Sequence, residues 1–132
     1  MARSHLALAA IILMALAACI TEPEGSLLSG QYGGRLAGLV ATDTAAHFEF
    51  VCARGTTGPL RLDGTGAARA SGVAFEGFPP WRSLSLYVTV RLSGDTIDLT
   101  TVRTTGQGSL YDSYQLRRGS AADFGGVGCL AN

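Results

Sequence analysis

Hydrophobic and polar residues alternate along much of the chain after residue 32. The clearest example is 84–92, where leucine and valine alternate with serine, tyrosine, threonine and arginine. Ser93-Gly94-Asp95 follows as a tight-turn sequence, and the alternation resumes over 96–102. Because successive side chains of a strand point to opposite faces, a period of two buries one face and leaves the other facing solvent. The two runs therefore predict a β-hairpin.

Shorter runs of the same kind are separated by turn sequences, which is typical of small all-β domains. Besides the hairpin, the predicted strands are 36–41, 47–52, 60–62, 67–75, 109–117 and 127–130. In the predicted strand 47–52, Cys52 shares a face with Phe48 and Phe50. In the predicted strand 109–117, Asp112 interrupts an apolar face, where we expect a bulge. The pattern predicts an all-β fold: one small antiparallel β-barrel or sandwich of about seven or eight strands, after an N-terminal signal helix.

The start of the chain has a different pattern. Arg3 precedes an unbroken apolar run over 6–18, which is too short to cross a hydrocarbon layer of about 30 Å. Such a segment is typical of an export signal. The sequence Leu16-Ala17-Ala18-Cys19 resembles the lipobox of bacterial lipoproteins, in which the cysteine is acylated and becomes the mature N-terminus. The resemblance implies a signal peptide over 1–18 and lipidation at Cys19.

Two alternatives to the lipid anchor stay open. Ala15-Leu16-Ala17 also matches an ordinary secretory cleavage site, and the apolar run could remain as an uncleaved membrane anchor. We favour lipidation because Cys19 ends the apolar run and is followed by a polar, proline- and glycine-containing segment. We therefore divide the chain into a signal peptide (1–18), a flexible tether (19–31) and a β-domain (32–132). The expected location is the cell membrane or outer membrane, facing the periplasm or the exterior.

The length and net charge of the chain limit the number of domains and the kinds of partner that we expect. The chain has 132 residues, so the part after the export segment is large enough for one domain. The formal net charge is +0, and no basic stripe is present that could follow a phosphate backbone. We expect no nucleic-acid partner and no cofactor. The expected partners are the membrane, through the lipid, and an envelope protein or exported enzyme, with the chain itself a monomer.

The cysteine count agrees with export. If lipid consumes Cys19, the remaining pair is Cys52 and Cys129, and an exported protein can oxidise such a pair. We predict a disulfide between them, which would stabilise the fold by about 4 kcal/mol. The alternative makes Cys52 a nucleophile with His47 as its base, which requires an accessible free thiolate.

An ordered series of short motifs resembles small bacterial exported proteins, many of them lipoproteins, that have no assigned activity. The motifs are Tyr32-Gly33-Gly34, the segment 48–55 with Cys-Ala-x-Gly, the hairpin sequence 94–99 and Gly128-Cys129-Leu130. The resemblance covers most of the chain from Tyr32 to Leu130. It supports pairing of the two cysteines and implies no catalytic residue.

Few residue combinations indicate chemistry. His47 has only Asp43 and Glu49 as nearby acidic residues, which is a thin set of metal ligands, so we expect no metal site. A better candidate for binding is the loop that contains Phe78, Trp81 and Arg82, because Trp and Arg often anchor interfaces. The alternative is that the loop aromatics close one end of the fold. Tyr87, Arg91, Arg103, Tyr111 and Arg117 are expected on a solvated sheet face.

The favoured hypothesis is a noncatalytic, lipid-anchored protein of the cell envelope with a binding or structural role. A sharper alternative is an inhibitor of an exported hydrolase, because small disulfide-linked β-barrel lipoproteins that inhibit lysozyme are similar in size and build. A small-ligand carrier and a hydrolase that uses His47 are further alternatives.

Overall fold

The computed structural model describes residues 25–77 and 80–129. The predicted signal peptide, Cys19 and Phe78 lie outside the described residues. Within this part of the chain no helix is long and apolar enough to cross a bilayer. The described residues form ten β-strands: β1 (Ser26–Leu27), β2 (Gly30–Gly34), β3 (Ala37–Ala41), β4 (Ala46–Phe50), β5 (Ala53–Thr57), β6 (Arg61–Leu62), β7 (Ala67–Glu76), β8 (Arg82–Ser93), β9 (Thr96–Thr105) and β10 (Gly108–Arg118).

Eight of these strands close into an antiparallel barrel, while β1 and β6 form a separate two-stranded sheet. The order around the barrel is β10-β2-β3-β4-β5-β7-β8-β9, so each strand lies beside the next barrel strand in the chain. The prediction of an all-β fold is confirmed, and the architecture is a barrel rather than a sandwich. Closure pairs strand edges that an open sheet would leave unpaired.

The predicted hairpin is β8 and β9, and it forms one wall of the barrel. Its register runs from Ser93 paired with Thr96 to Ser85 paired with Thr104. Leu86, Val88 and Val90 are almost fully buried, as the alternation predicts. Burial of one such side chain stabilises the fold by about 1.5–3 kcal/mol, so the inward positions of this hairpin are a large part of the core.

The small sheet covers one end of the barrel, which we call the plug end. Leu28 and Leu60 are both buried, and the Leu28 amide donates to the Leu60 carbonyl at 2.9 Å. β1 pairs with β6 through Ser26 opposite Leu62. The residues from 25 to 31, which the sequence analysis placed in the tether, are therefore part of the folded body, because they supply apolar cover to the barrel interior.

The turn between β6 and β7 is organised by one carboxylate. Asp63 Oδ1 accepts hydrogen bonds from the backbone amides of Thr65 and Ala67 and from the Thr65 hydroxyl, at 2.8, 3.0 and 2.7 Å. The Thr65 hydroxyl, followed by the two amides, holds the pKa of Asp63 below its ordinary value. This is the Asx-type turn chemistry expected of an Asp-Gly sequence.

The strand after β4 was missed by the sequence analysis. β4 ends at Phe50, and Cys52 has a positive φ of 60° in the turn that leads to β5. The prediction that Cys52 continues the β4 strand beside the phenylalanine rings is therefore wrong. The inward positions of β5 are Ala53, Gly55 and Thr57, which are too small or polar to stand out as a hydrophobic stripe.

The chain after β10 forms an arm on the outside of the barrel. A Cβ atom on Gly33 would overlap the backbone of Ala121, and one on Gly38 would approach the Ala122 side chain to 2.9 Å. The arm is held further by the Asp123 amide, which donates to the Gly34 carbonyl at 2.9 Å. The glycines of β2 and β3 thus allow the arm to lie against the strands.

Two further sequence predictions are corrected here. Residues 127–129 form no strand, because the preceding Gly125 and Gly126 have positive φ angles and turn the arm away from the sheet; Leu130 lies outside the described residues. β10 contains no bulge at Asp112, since its register with β9 is continuous from Gly108 to Arg117. Asp112 is accommodated by an ion pair described below.

Candidate binding groove at the disulfide end

Four connections meet at the end of the barrel opposite the plug. Because neighbouring barrel strands are antiparallel, the turns β2–β3, β4–β5, β7–β8 and β9–β10 share this end. The Cys52–Cys129 disulfide also lies here, so we call it the disulfide end. The β7–β8 connection contains the candidate binding loop predicted from the sequence.

The predicted disulfide is confirmed. Cys52 and Cys129 are bonded across a sequence separation of 77 residues, with their Cα atoms 5.3 Å apart. The bond ties the C-terminal arm to the turn between β4 and β5. In this state Cys52 has no free thiol to act as a nucleophile. His47 lies on the outer face of β4, where its Nδ1 is 3.4 Å from the Thr56 hydroxyl.

A groove of about 350 Å³ lies beside the disulfide, and we call it the disulfide groove. Its apolar wall is formed by side chains of the β4–β5 turn, the β7–β8 loop and the arm. Glu49 and Arg54, cross-strand partners on β4 and β5, form its polar edge. The apolar lining residues include Phe50, Val51, Trp81, Phe124 and Val127.

The structure separates the three predicted loop residues. Trp81 lies in the loop, is 49% exposed and borders the disulfide groove. Arg82 is the first residue of β8, directly opposite Glu76 of β7, and the two side chains form an ion pair. Phe78 lies outside the described residues. Half of the Trp81 surface faces solvent, and the prediction that Phe78 and Trp81 together close this end rests in part on a residue outside the described range.

Inside the mouth of the disulfide end, charged side chains form a network that the sequence analysis missed. Arg103 Nη2 donates to Asp112 Oδ2 at 3.1 Å, and Arg103 Nη1 lies 3.7 Å from Glu76 Oε2. The Arg103 side chain is only 13% exposed, and its guanidinium lies 5.5 Å from the centre of the Phe50 ring. The prediction of a solvated Arg103 is wrong. The continued alternation from Ile97 through Thr101 to Arg103 could have indicated an inward side chain.

This network is balanced in charge. It contains two arginines, Arg82 and Arg103, and two carboxylates, Glu76 and Asp112. The four residues come from the four adjacent strands β7 to β10. A second depression of about 610 Å³ borders it and includes Tyr114, whose pKa is raised by burial and then by the Asp112 charge. Because the charges of these four side chains cancel, the network offers no net charge to a free ion.

The remaining candidate ligands do not converge. His47 and Glu49 both project from the outer face of β4, as expected for residues two apart on a strand. Among residues 25–77 and 80–129, no group of three or more His, Cys, Asp or Glu side chains could hold a metal ion.

Side chains occupy the middle of the barrel. Large residues from six different strands meet there, each almost fully buried: Tyr32, Leu39, Phe48, Leu86, Ile97, Leu99 and Leu116 among them. A small molecule carried at this level would have to displace them. The accessible recesses named above are instead at the disulfide end.

Comparison with known proteins does not add to this picture. No protein-family model, no curated protein and no solved structure matches the chain. The functional interpretation therefore depends on the geometry of the molecule itself.

Proposed function

We propose that this chain is a noncatalytic, lipid-anchored binding protein of the cell envelope that holds its partner in the disulfide groove. The observation that carries the proposal is Trp81, a half-exposed tryptophan at the edge of an apolar groove. Tryptophan is the residue type most enriched among the anchors of protein interfaces. The partner we infer is a protein that presents an apolar segment.

The surroundings of Trp81 favour tight binding. The β4–β5 turn and the arm are joined by the Cys52–Cys129 bond, so two walls of the groove are fixed relative to each other before a partner arrives. A prearranged site loses less conformational entropy on binding than a flexible one. Glu49 and Arg54 at the edge supply one anionic and one cationic group that can orient the partner.

The position of the groove is consistent with an anchor at Cys19. β1 begins at Ser26 at the plug end, and the segment from Cys19 to Ser26 could reach at most about 25 Å when fully extended. A lipid attached there would hold the plug end near the membrane. The disulfide groove, at the opposite end of the barrel, would then face away from the lipid surface.

The lipid anchor has a direct test. Mass spectrometry of the native protein is expected to show a chain that begins at Cys19 and carries acyl groups. Cys19→Ala should remain unprocessed, because the modified thiol is absent. An intact methionine N-terminus without lipid would refute the anchor, as would a cleaved chain that carries no acyl group.

The groove has a separate test. A photoreactive phenylalanine analogue at Val127, which lines the groove and leaves Trp81 in place, is expected to crosslink one discrete envelope protein, whereas the same analogue at Val40, an exposed position on β3, should not. Against that purified partner, Trp81→Ala should weaken binding about thirtyfold, which corresponds to about 2 kcal/mol for an anchor residue. Equal crosslinking at both positions, or none at position 127, contradicts the proposal.

The same test identifies the inhibitor alternative. Trp81 belongs to a loop at the exposed rim, the kind of element that can enter an enzyme cleft. If the crosslinked partner is an exported hydrolase, its turnover should fall when the β-domain is added and recover with Trp81→Ala.

A further inference from the structure

A second surface of interest is the outer, solvent-facing side of strands β7 to β10. The outward positions of 71–75 in β7, 83–89 in β8, 100–104 in β9 and 109–113 in β10 carry no charged side chain. Exposed strand positions are usually rich in charged residues, so a patch without any that extends over parts of four adjacent strands is unusual. We call this surface the uncharged face.

Two tyrosines define the centre of the uncharged face. Tyr87 of β8 pairs with Val102 of β9, which in turn pairs with Tyr111 of β10. Tyr87 is 46% exposed and Tyr111 is 74% exposed, while Val102 between them is half-buried. Because one strand separates them, the two tyrosine positions lie about 10 Å apart.

Residues with hydroxyl groups flank the cross-strand row formed by Tyr87, Val102 and Tyr111. The next row across the sheet is Val73, Ser85, Thr104 and Ser109, and the row on the other side is Arg69, Thr89, Thr100 and Ser113. A shallow depression of about 390 Å³ lies between the row of Tyr87 and Val102 and the row of Val73, Ser85 and Thr104. The surface therefore combines exposed aromatic rings with many hydroxyl donors and acceptors.

We propose that the uncharged face binds an uncharged β-1,4-linked glycan strand. The C–H face of a pyranose ring packs on an aromatic ring, and the serine and threonine hydroxyls can exchange hydrogen bonds with the sugar hydroxyls. In such a glycan every second sugar presents the same face, at a spacing close to that of Tyr87 and Tyr111. The sugars need no ionic partner, which matches the absence of charge on this face.

The glycan occupant is favoured over a second copy of the chain by the composition of the face. Its large apolar side chains are few and are separated by hydroxyl residues, whereas dimer interfaces have a more continuous apolar centre. Arginines lie at the margin: Arg69 begins the row that continues with Thr89, and Arg91 is paired across the strands with Asp98. A protein partner would find few charged groups to recognise on the face itself.

The test uses the β-domain with its disulfide intact and two probes, chitin beads and soluble chitohexaose, with cellulose as a further solid glycan. The wild-type protein is expected to bind at least one of them, and binding should be insensitive to added salt, since no charges take part. The double variant Tyr87→Ala/Tyr111→Ala should bind roughly tenfold more weakly for each ring removed. Tyr111→Phe, which keeps the ring, should retain most of the affinity.

Trp81→Ala is the matched control, because it removes an exposed aromatic side chain from the disulfide groove and leaves the uncharged face intact. Unchanged glycan binding by this variant separates the present inference from the proposed function. Three results would overturn the inference: wild-type protein that binds none of the glycans, binding that salt abolishes, or wild-type protein that sediments as a dimer while the double tyrosine variant is a monomer.

Discussion

Replacing both disulfide cysteines with serine is expected to lower the free energy of unfolding by about 4 kcal/mol. The physical reason is the length of the closed loop: the bond joins residues 77 positions apart, so it removes many conformations from the unfolded chain. Small domains are stable by only about 5–15 kcal/mol in total, and the loss is therefore a large fraction of the stability. Urea denaturation of the double variant and of the oxidised wild-type protein measures it.

Reduction of the wild-type protein is the control for this experiment. The reduced protein and the Cys52→Ser/Cys129→Ser variant should unfold at the same urea concentration, because both lack only the crosslink. The variant should also bind the groove partner more weakly, since the arm that carries Phe124 and Val127 is no longer fixed to the β4–β5 turn. A loss of stability below about 1 kcal/mol would contradict the entropic account.

Gly72→Ala is expected to destabilise the protein by about 3 kcal/mol, through overpacking in the barrel wall. Gly72 of β7 pairs with Thr57 of β5, and a Cβ atom at this position would overlap the carbonyl oxygen of Thr56. It would also approach the Thr57 Cα to 2.9 Å. The contacts are with backbone, so no side-chain rotation can relieve them. The two strands would have to move apart within a closed barrel.

Gly58→Ala is the matched control, because a Cβ atom at Gly58 would meet nothing within 4 Å and its φ is not positive. This change should leave the stability unchanged or raise it by about 0.5 kcal/mol, since alanine restricts the unfolded chain. Urea denaturation curves of both variants give the comparison. Equal midpoints for Gly72→Ala and Gly58→Ala would mean that the strands tolerate the extra atom.

The strands that could be predicted from the sequence are those with large inward residues. β8 alternates leucine and valine with other residues over 84–92, and both the strand and its hairpin with β9 are confirmed. β5 has the same period, yet its inward residues are Ala53, Gly55 and Thr57. At Gly55, the Leu86 side chain of β8, two strands away around the barrel, occupies the space that a Cβ would take. A small residue that makes room for a large one leaves no hydrophobic pattern in its own strand.

The candidate site was predicted in part. The cysteine count indicated the disulfide, and the residue type indicated Trp81 as an anchor. The groove itself was not predictable, because Phe50, Trp81 and Phe124 belong to three separate segments that meet only in the folded barrel. The Arg103 network was missed for a similar reason. Its carboxylate partners, Glu76 and Asp112, lie on two other strands, and only the register brings them within reach.

By itself, the sequence determined the β-class of the body, the β8–β9 hairpin and the pairing of Cys52 with Cys129, because each depends on local periodicity, turn chemistry or a count of residues. The tertiary structure decided the closure into a barrel, the plug formed by β1 and β6, the path of the arm over Gly33 and the disulfide groove. These features depend on contacts between residues far apart in the chain. Such contacts are selected by the packing of whole strands, which no short stretch of sequence specifies.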